Sequence, residues 1–274
     1  MALVINTNMA SENAVRLLDQ TSRSQKVSME RLTSGLRINK TADDAAGKAV
    51  VTRMDSQVRG TDMAIRNAND GISLVQTIDG AVEEAVNMMQ RIRELAVQMA
   101  NDTYSSAQRA QAQEEVSQLK VEINRIALTT KFNGTPLLNG SNTVLSFHVG
   151  WETDAANTIS VEMYNLSVGN NSYGTVSVTT QSAALSAIAK IDIDLSNLNS
   201  IRAKWGAVQN RFEYTVANLQ NVNENIKAAR SQIEDADFAR ESANLARTQV
   251  LQQAGMAMLS QANQNSQQVL SLLR

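Results

Sequence analysis

Between Val51 and Met89 a seam with a spacing of three or four residues runs through Val51, Met54, Val58, Thr61, Ile65, Ala68, Ile72, Val75, Asp79, Val82, Val86 and Met89, ten of these twelve positions apolar. Thr61 and Asp79 alone break the apolar character of that seam. A 3–4 spacing held over about five heptads is the pattern of a coiled coil or long bundle, and no strand produces it. The seam then shifts phase and continues through Ile92, Ala96 and Met99. The spacing predicts one helix from about Ala45 to Ala100, roughly 80 Å long at ~1.5 Å per residue. Asp43 or Asp44 would cap its start, since a carboxylate accepts from the orphan N–H groups of a first turn. Pro136 is the single proline in 274 residues, so little in the chain forces a helix to stop.

A second helix is expected from Ser105 or Ser106, with the stripe Ala112, Val116, Leu119, Ile123 and Ile126. The short polar break at 101–105 makes it an antiparallel neighbour of the first. A third carries Ile201, Trp205, Val208, Phe212, Thr215, Leu219, Val222, Ile226, Ala229, Ile233 and Ala236, preceded in another phase by Ile188, Ile191, Leu195 and Leu198. Aromatics make up only 4% of the chain, which suits thin helix contacts better than a thick core. The expected fold is therefore mainly α: an elongated rod of long-helix coiled-coil or bundle type.

From residue 130 to 180 the period changes to two. Val144–Val149, the Ile159, Val161, Met163 set and the Val176, Val178 pair read as strands, and Asn133-Gly134 and Asn139-Gly140 as turns. This predicts a small β-hairpin segment at one end of the rod, with Trp151 packing it to the helices.

The two ends are helical in propensity but thinly apolar. The first offers Ala14, Leu18, Thr21, Gln25, Ser28 and Leu32, of which half are polar. The last offers Leu251, Ala254 and Met258, then Gln261 and Asn265, before Val269, Leu270, Leu272 and Leu273. Such stripes bury too little apolar surface to offset chain ordering in isolation. The ends are expected to be disordered in a lone molecule and to fold as paired terminal helices against each other and against further copies. Leu17, Leu18, Leu32, Leu251, Met258, Val269, Leu270, Leu272 and Leu273 are the expected association residues. The linkers at 34–41 and 232–240 join these ends to the rod. Arg37, Asp43, Asp44, Asp235 and Asp237 there form either inter-linker ion pairs or a solvated polar connection.

Other chemistry is excluded more directly. With 25 Lys and Arg against 27 Asp and Glu, no field favours nucleic acid and no basic face favours a membrane. The absence of cysteine and the single histidine, His148, exclude disulfides, thiolate metal sites and cysteine nucleophiles. No glycine-rich phosphate loop or metal spacing is present, so neither a cofactor nor an enzyme is expected. No apolar run approaches the ~18 residues of a spanning helix. The N-terminal stretch lacks the basic start and apolar core of a cleaved secretory signal, so export would follow another route.

Collinear blocks add a family. Ile5-Asn6-Thr7-Asn8, Ser34-Gly35-Leu36-Arg37-Ile38-Asn39 with Ala42-Asp43-Asp44-Ala45-Ala46-Gly47, and Asp70-Gly71-Ile72-Ser73-Leu74-Val75-Gln76-Thr77 resemble bacterial flagellin. So do Gln90–Gln98, Phe132-Asn133-Gly134, Leu137–Gly140, Gly206–Arg211, Ile233–Asp237, Gln261–Gln264 and Val269–Arg274. The blocks cover about 1–140 and 181–274, in order. Two departures are Lys48, where an apolar residue is usual, and Ser266 in place of a frequent proline.

The resemblance implies a short flagellin without large variable outer domains. Residues 1–40 and 236–274 would form inner-tube helices as one discontinuous domain. Residues 41–235 would form the outer-tube rod, with the hairpins at 130–180. It implies a subunit that polymerises into the helical flagellar filament for swimming, located outside the cell after flagellar type III export. It also implies an export chaperone on the C-terminal helix and contacts with filament cap and hook-junction proteins. Arg91, Leu95 and Glu115 resemble the patch sensed by the animal Toll-like flagellin receptor. Read from the residues alone, they are an ion pair and a buried anchor for inter-subunit packing. The alternative within this resemblance is a hook–filament junction protein.

Overall fold

The structure, a computed structural model, describes residues 8–272, with side chains described through Gln264. Five α-helices dominate the described residues: α1 Met9–Ser34, α2 Ala45–Met99, α3 Ser106–Thr129, α4 Gln181–Glu234 and α5 Phe238–Leu272. Between α3 and α4 lie the strands β1 Lys131–Phe132, β2 Thr135–Pro136, β3 Val144–His148 and β4 Thr158–Glu162. The chain forms two compact units, one from residues up to 56 together with 225 onward, the other from 57–224. Both boundaries fall inside α2 and α4.

The 57–224 unit holds the principal core. Val58, Thr61, Ala68, Val75, Val82, Val86 and Met89 of the predicted α2 seam are buried there, and Ile92, Ala96 and Met99 continue the buried stripe. Ile191, Leu198, Ile201, Trp205 and Phe212 of α4 and Val116 and Ile123 of α3 close it. Arg93 pairs with Asp192 at 2.7 Å and Arg202 with Asp79 at 2.6 Å, while Asn223 donates to Asp62 at 2.5 Å. Along these rungs residue numbers rise in α2 as they fall in α4, so the two helices run antiparallel. Ser105 caps α3 in a capping box with Gln108, and Arg109 reaches back to the Asn101 carbonyl at 2.9 Å. The sharp α2–α3 reversal is thereby fastened on both sides.

Asn133 (φ 48°) and Gly134 (φ 79°) turn β1 into β2, with Phe132 facing Thr135, as expected for an Asn-Gly hairpin. In the second hairpin Val144 pairs with Glu162 and His148 with Thr158. Ile159 and Val161 point inward, and the Phe147 ring meets Phe212 edge-on at 5.7 Å between centroids. One expectation needs correction here. Val176 and Val178 are buried but form no strand: the Val178 N–H donates to Gln113 Oε1 at 2.8 Å, and Lys120 donates to the Val176 carbonyl. An extended segment satisfied by helix side chains alternates like a strand without having a partner strand. Trp151, 43% exposed, sits against α2 as expected: a Cβ added at Gly60 would stand 2.7 Å from the Trp151 Cβ. A second, enclosed tryptophan, Trp205, also ties hairpin to helix: its Nε1 donates to the Glu162 carbonyl at 2.7 Å.

Asp194, on α4 and buried, accepts from the Tyr173 N–H at 2.6 Å and the Ser172 N–H at 3.3 Å. It clasps the loop before α4, where the buried Tyr173 hydroxyl donates to the Leu166 carbonyl at 2.5 Å. Desolvation first, then the Asp194 charge, pushes that phenol well above its ordinary range. Asp194→Ala leaves two backbone donors unsatisfied and is expected to cost about 2–3 kcal/mol. Urea unfolding and faster hydrogen exchange at Ser172 and Tyr173 would register that loss.

Candidate self-association surface

In the other unit α1 and α5 lie side by side. Asn8 caps α1 by accepting from the Ser11 N–H at 3.1 Å, and its own Nδ2 donates to the Ala262 carbonyl at 3.1 Å. A Cβ at Gly255 would stand 2.7 Å from Leu18 Cδ2, so glycine lets the helices approach closely. Further along, the buried Glu241 carboxylate accepts from Ser28 Oγ at 2.9 Å and from the Arg31 guanidinium at 3.0 Å. Burial pushes this carboxyl upward. Hydrogen bonds from Arg31, Ser28 and Asn244 outweigh that and hold it below the usual carboxylate range.

The expected association residues divide by face. Leu18 and Leu32 are half-buried between the helices. Leu17, Leu251 and Met258 remain 60%, 51% and 67% exposed. Leu17, Leu18, Leu251, Gly255 and Met258 line one apolar cleft of about 480 Å³. The side chains of Val269, Leu270 and Leu272 lie outside the described ones, and Leu273 lies outside the described residues altogether. Leucine and methionine thus lie exposed side by side as a contiguous apolar strip.

Gly35 ends α1 in the left-handed conformation (φ 73°), and the two linkers then pair as a single antiparallel bridge, Leu36 with Asp235. The Arg37 N–H donates to the Glu234 carbonyl and the Ala236 N–H to the Gly35 carbonyl. Among the described residues these linker charges form no ion pair with one another: most engage backbone groups, and Asp235 a serine hydroxyl. Arg37 donates to the Ile233 carbonyl, and Asp43 accepts from the Asn39 and Lys40 N–H groups. Asp44 accepts from Gly47 at the start of α2, Asp235 from Ser231, and Asp237 from Ala239 and Arg240 at the start of α5. The ion pairs beside the linkers use other residues: Lys40 with Glu30 and Lys48 with Glu234. Lys48, the departure from the family pattern, thus has a structural partner. Asn39-Lys40 amide donation lowers the Asp43 carboxyl, Lys40 first.

On the 57–224 unit Arg91 pairs with Glu115 at 2.9 Å and with Glu94 at 3.1 Å. Leu95, one turn on, is buried in the chain's own core. The surface at this point is therefore Arg91, Glu94 and Glu115, and Leu95 supports it from beneath. Glu94 and the Ser28–Arg31–Glu241 network were not singled out by sequence; the available signal was a serine at a seam position of a thin helix.

Among the described residues no group of three His, Cys, Asp or Glu is placed to hold a metal, and no helix is long and apolar enough to cross a membrane. Residues 5–143 match the bacterial flagellin N-terminal helical region, and residues 188–273 the C-terminal helical region. Over 99% of this chain and the whole of the relative, a flagellin of Halalkalibacterium halodurans is 42% identical. The flagellar filament 33 kDa core protein of Treponema phagedenis is also 42% identical, with the same coverage. The Bacillus cereus flagellin crystal structure superposes with a TM-score of 0.50 at 29% identity, covering 56% of this chain and 88% of its own. A flagellar hook-associated protein of Vibrio parahaemolyticus shares the fold, with a TM-score of 0.61, at 11% identity over 70% of this chain and all of its own.

The two matched helical regions place this molecule among the structural proteins of the bacterial flagellum. Within that class, with both helical regions matched and whole-chain identity to flagellins, the chain belongs to the bacterial flagellin family.

Proposed function

We propose that this protein polymerises head to tail into the flagellar filament that propels a swimming bacterium. The observation that carries the reading is the exposed apolar strip of the α1–α5 pair, with Leu17, Leu251 and Met258 left uncovered. One surface of each subunit meets a different surface of the next, so growth is open and helical. In this reading residues 1–40 and 236–274 line the inner tube and 41–235 form the outer one. The thin terminal pair also suits passage through an export channel as extended chain, with α5 held by a chaperone beforehand. Filament cap and hook-junction proteins are its neighbours at the two filament ends. Arg91 and Glu115 are the residues of this chain best placed to meet the Toll-like receptor, and a reporter-cell assay with the R91A monomer tests that part alone.

Purified protein seeded with filament fragments and raised in salt is expected to elongate, as seen by electron microscopy. Leu251→Asp places a charge on the exposed strip and is expected to abolish elongation while leaving the helix content of the monomer unchanged. Removing the last five residues is expected to do the same. Protein that stays monomeric under every seeding condition would instead favour a junction role.

A further inference from the structure

The chain carries eleven methionines, and they sort sharply by environment. Met89 and Met99 are sealed in the core of the 57–224 unit, while Met63 of that unit is half-exposed. In the terminal unit Met9, Met29, Met256 and Met258 are all exposed. Their surroundings differ. Met29 borders a polar groove with Ser22, Gln25, Lys26 and Glu30. Met256 sits among Gln249, Gln252 and Gln253. Met258 alone of the four lines the apolar cleft with Leu17, Leu18 and Leu251.

We infer that Met258 is an oxidation-sensitive modification site that gates self-association in the free subunit. The inference rests on the filament reading, in which the apolar strip is covered by a second copy. The reagent is a peroxide: the thioether sulfur attacks one peroxide oxygen, the O–O bond breaks, and sulfoxide and water are the products. Sulfur loses the two electrons that the peroxide gains. The sulfoxide is strongly polar and chiral, and covering the strip takes its oxygen from water into a cleft lined mainly by leucine and alanine, where Thr21 already donates to the Leu17 carbonyl and Asn13 is the other polar liner. At Met29 and Met256 the neighbouring amides, hydroxyl and ammonium can meet that oxygen, so oxidation there is tolerated. Once the strip is covered by the next subunit, Met258 is shielded. The unassembled subunit is therefore the vulnerable form, and a methionine sulfoxide reductase restores it.

The test treats full-length monomer with hydrogen peroxide, maps sulfoxides by peptide mass spectrometry and then measures seeded elongation. Sulfoxide is expected at Met256 and Met258 and absent from Met89 and Met99, with elongation slowed at least about tenfold by the lost apolar contact. Met258→Leu is expected to elongate at the same rate before and after the exposure, whatever its own starting rate, and Met256→Leu to remain as sensitive as the parent. Preassembled filaments are expected to leave Met258 unmodified. Oxidised parent that elongates normally, or oxidised M258L that fails like the parent, overturns the inference while leaving the filament reading intact. Untreated protein that never elongates overturns both.

Discussion

Trp205→Ala is expected to destabilise the 57–224 unit by about 3–5 kcal/mol, the cost of emptying a fully enclosed aromatic site. The indole is 1% exposed and its Nε1 donates to the Glu162 carbonyl at 2.7 Å. Truncation removes the ring from between α4 and the end of β4 and leaves that carbonyl without its donor. The neighbouring Lys204–Glu162 pair at 2.7 Å is solvent-exposed on both sides, so it contributes little and cannot compensate. Trp205→Phe keeps most of the apolar volume and loses mainly the hydrogen bond, an expected loss of about 1 kcal/mol. Trp151→Ala, at a half-exposed ring, is expected to cost under about 1 kcal/mol. Urea midpoints at unchanged slope would order the three variants. A Trp151 variant as damaged as the Trp205 variant would make the Trp151–Gly60 contact the principal tie between hairpin and helix.

That contrast also marks where sequence reasoning reached its limit. Heptad spacing is a local property, and the α2 seam from Val51 to Met89 came through without an exposed member. Ser105 as a cap and Asn133-Gly134 as a turn were equally local. Which of two tryptophans is enclosed depends on residues that are distant along the chain, and no spacing encodes it. Val178 alternated with polar neighbours as a strand does, but its N–H found the Gln113 side chain of α3. Asp44 as a cap on α2 was local and legible, through its bond from the Gly47 N–H, whereas the reach of Arg37 to the Ile233 carbonyl depends on how two separated segments cross. In the α1–α5 pair, the apolar strip was legible as leftover hydrophobicity; the buried polar contacts that align the two helices were not.

Those contacts make Glu241 the residue whose loss should most disturb the α1–α5 pair. Glu241→Ala is expected to weaken the pairing by about 3–5 kcal/mol, as when one partner of a buried ion pair is removed. The Arg31 side chain is only 29% exposed and its Nε is already buried without a partner, so it cannot simply turn to water. The apolar contacts that remain, Leu18 on Gly255 among them, do not fix the register of two helices rich in small residues. A single buried polar contact does. Acid should act on the same contact. Because the folded carboxyl is held below its ordinary range, its contribution is complete above the unfolded value of about 4.3 and is lost as pH falls through the lower folded one. Spin labels, one on each helix, are expected to separate or broaden over that acid range in the parent protein. In Glu241→Gln, which retains an acceptor for Ser28 but carries no charge, pairing should be weaker at neutral pH and insensitive to acid there. A glutamine variant that comes apart over the same pH range as the parent would place the acid-sensitive contact elsewhere. The carboxylate would then serve as a hydrogen-bond acceptor only.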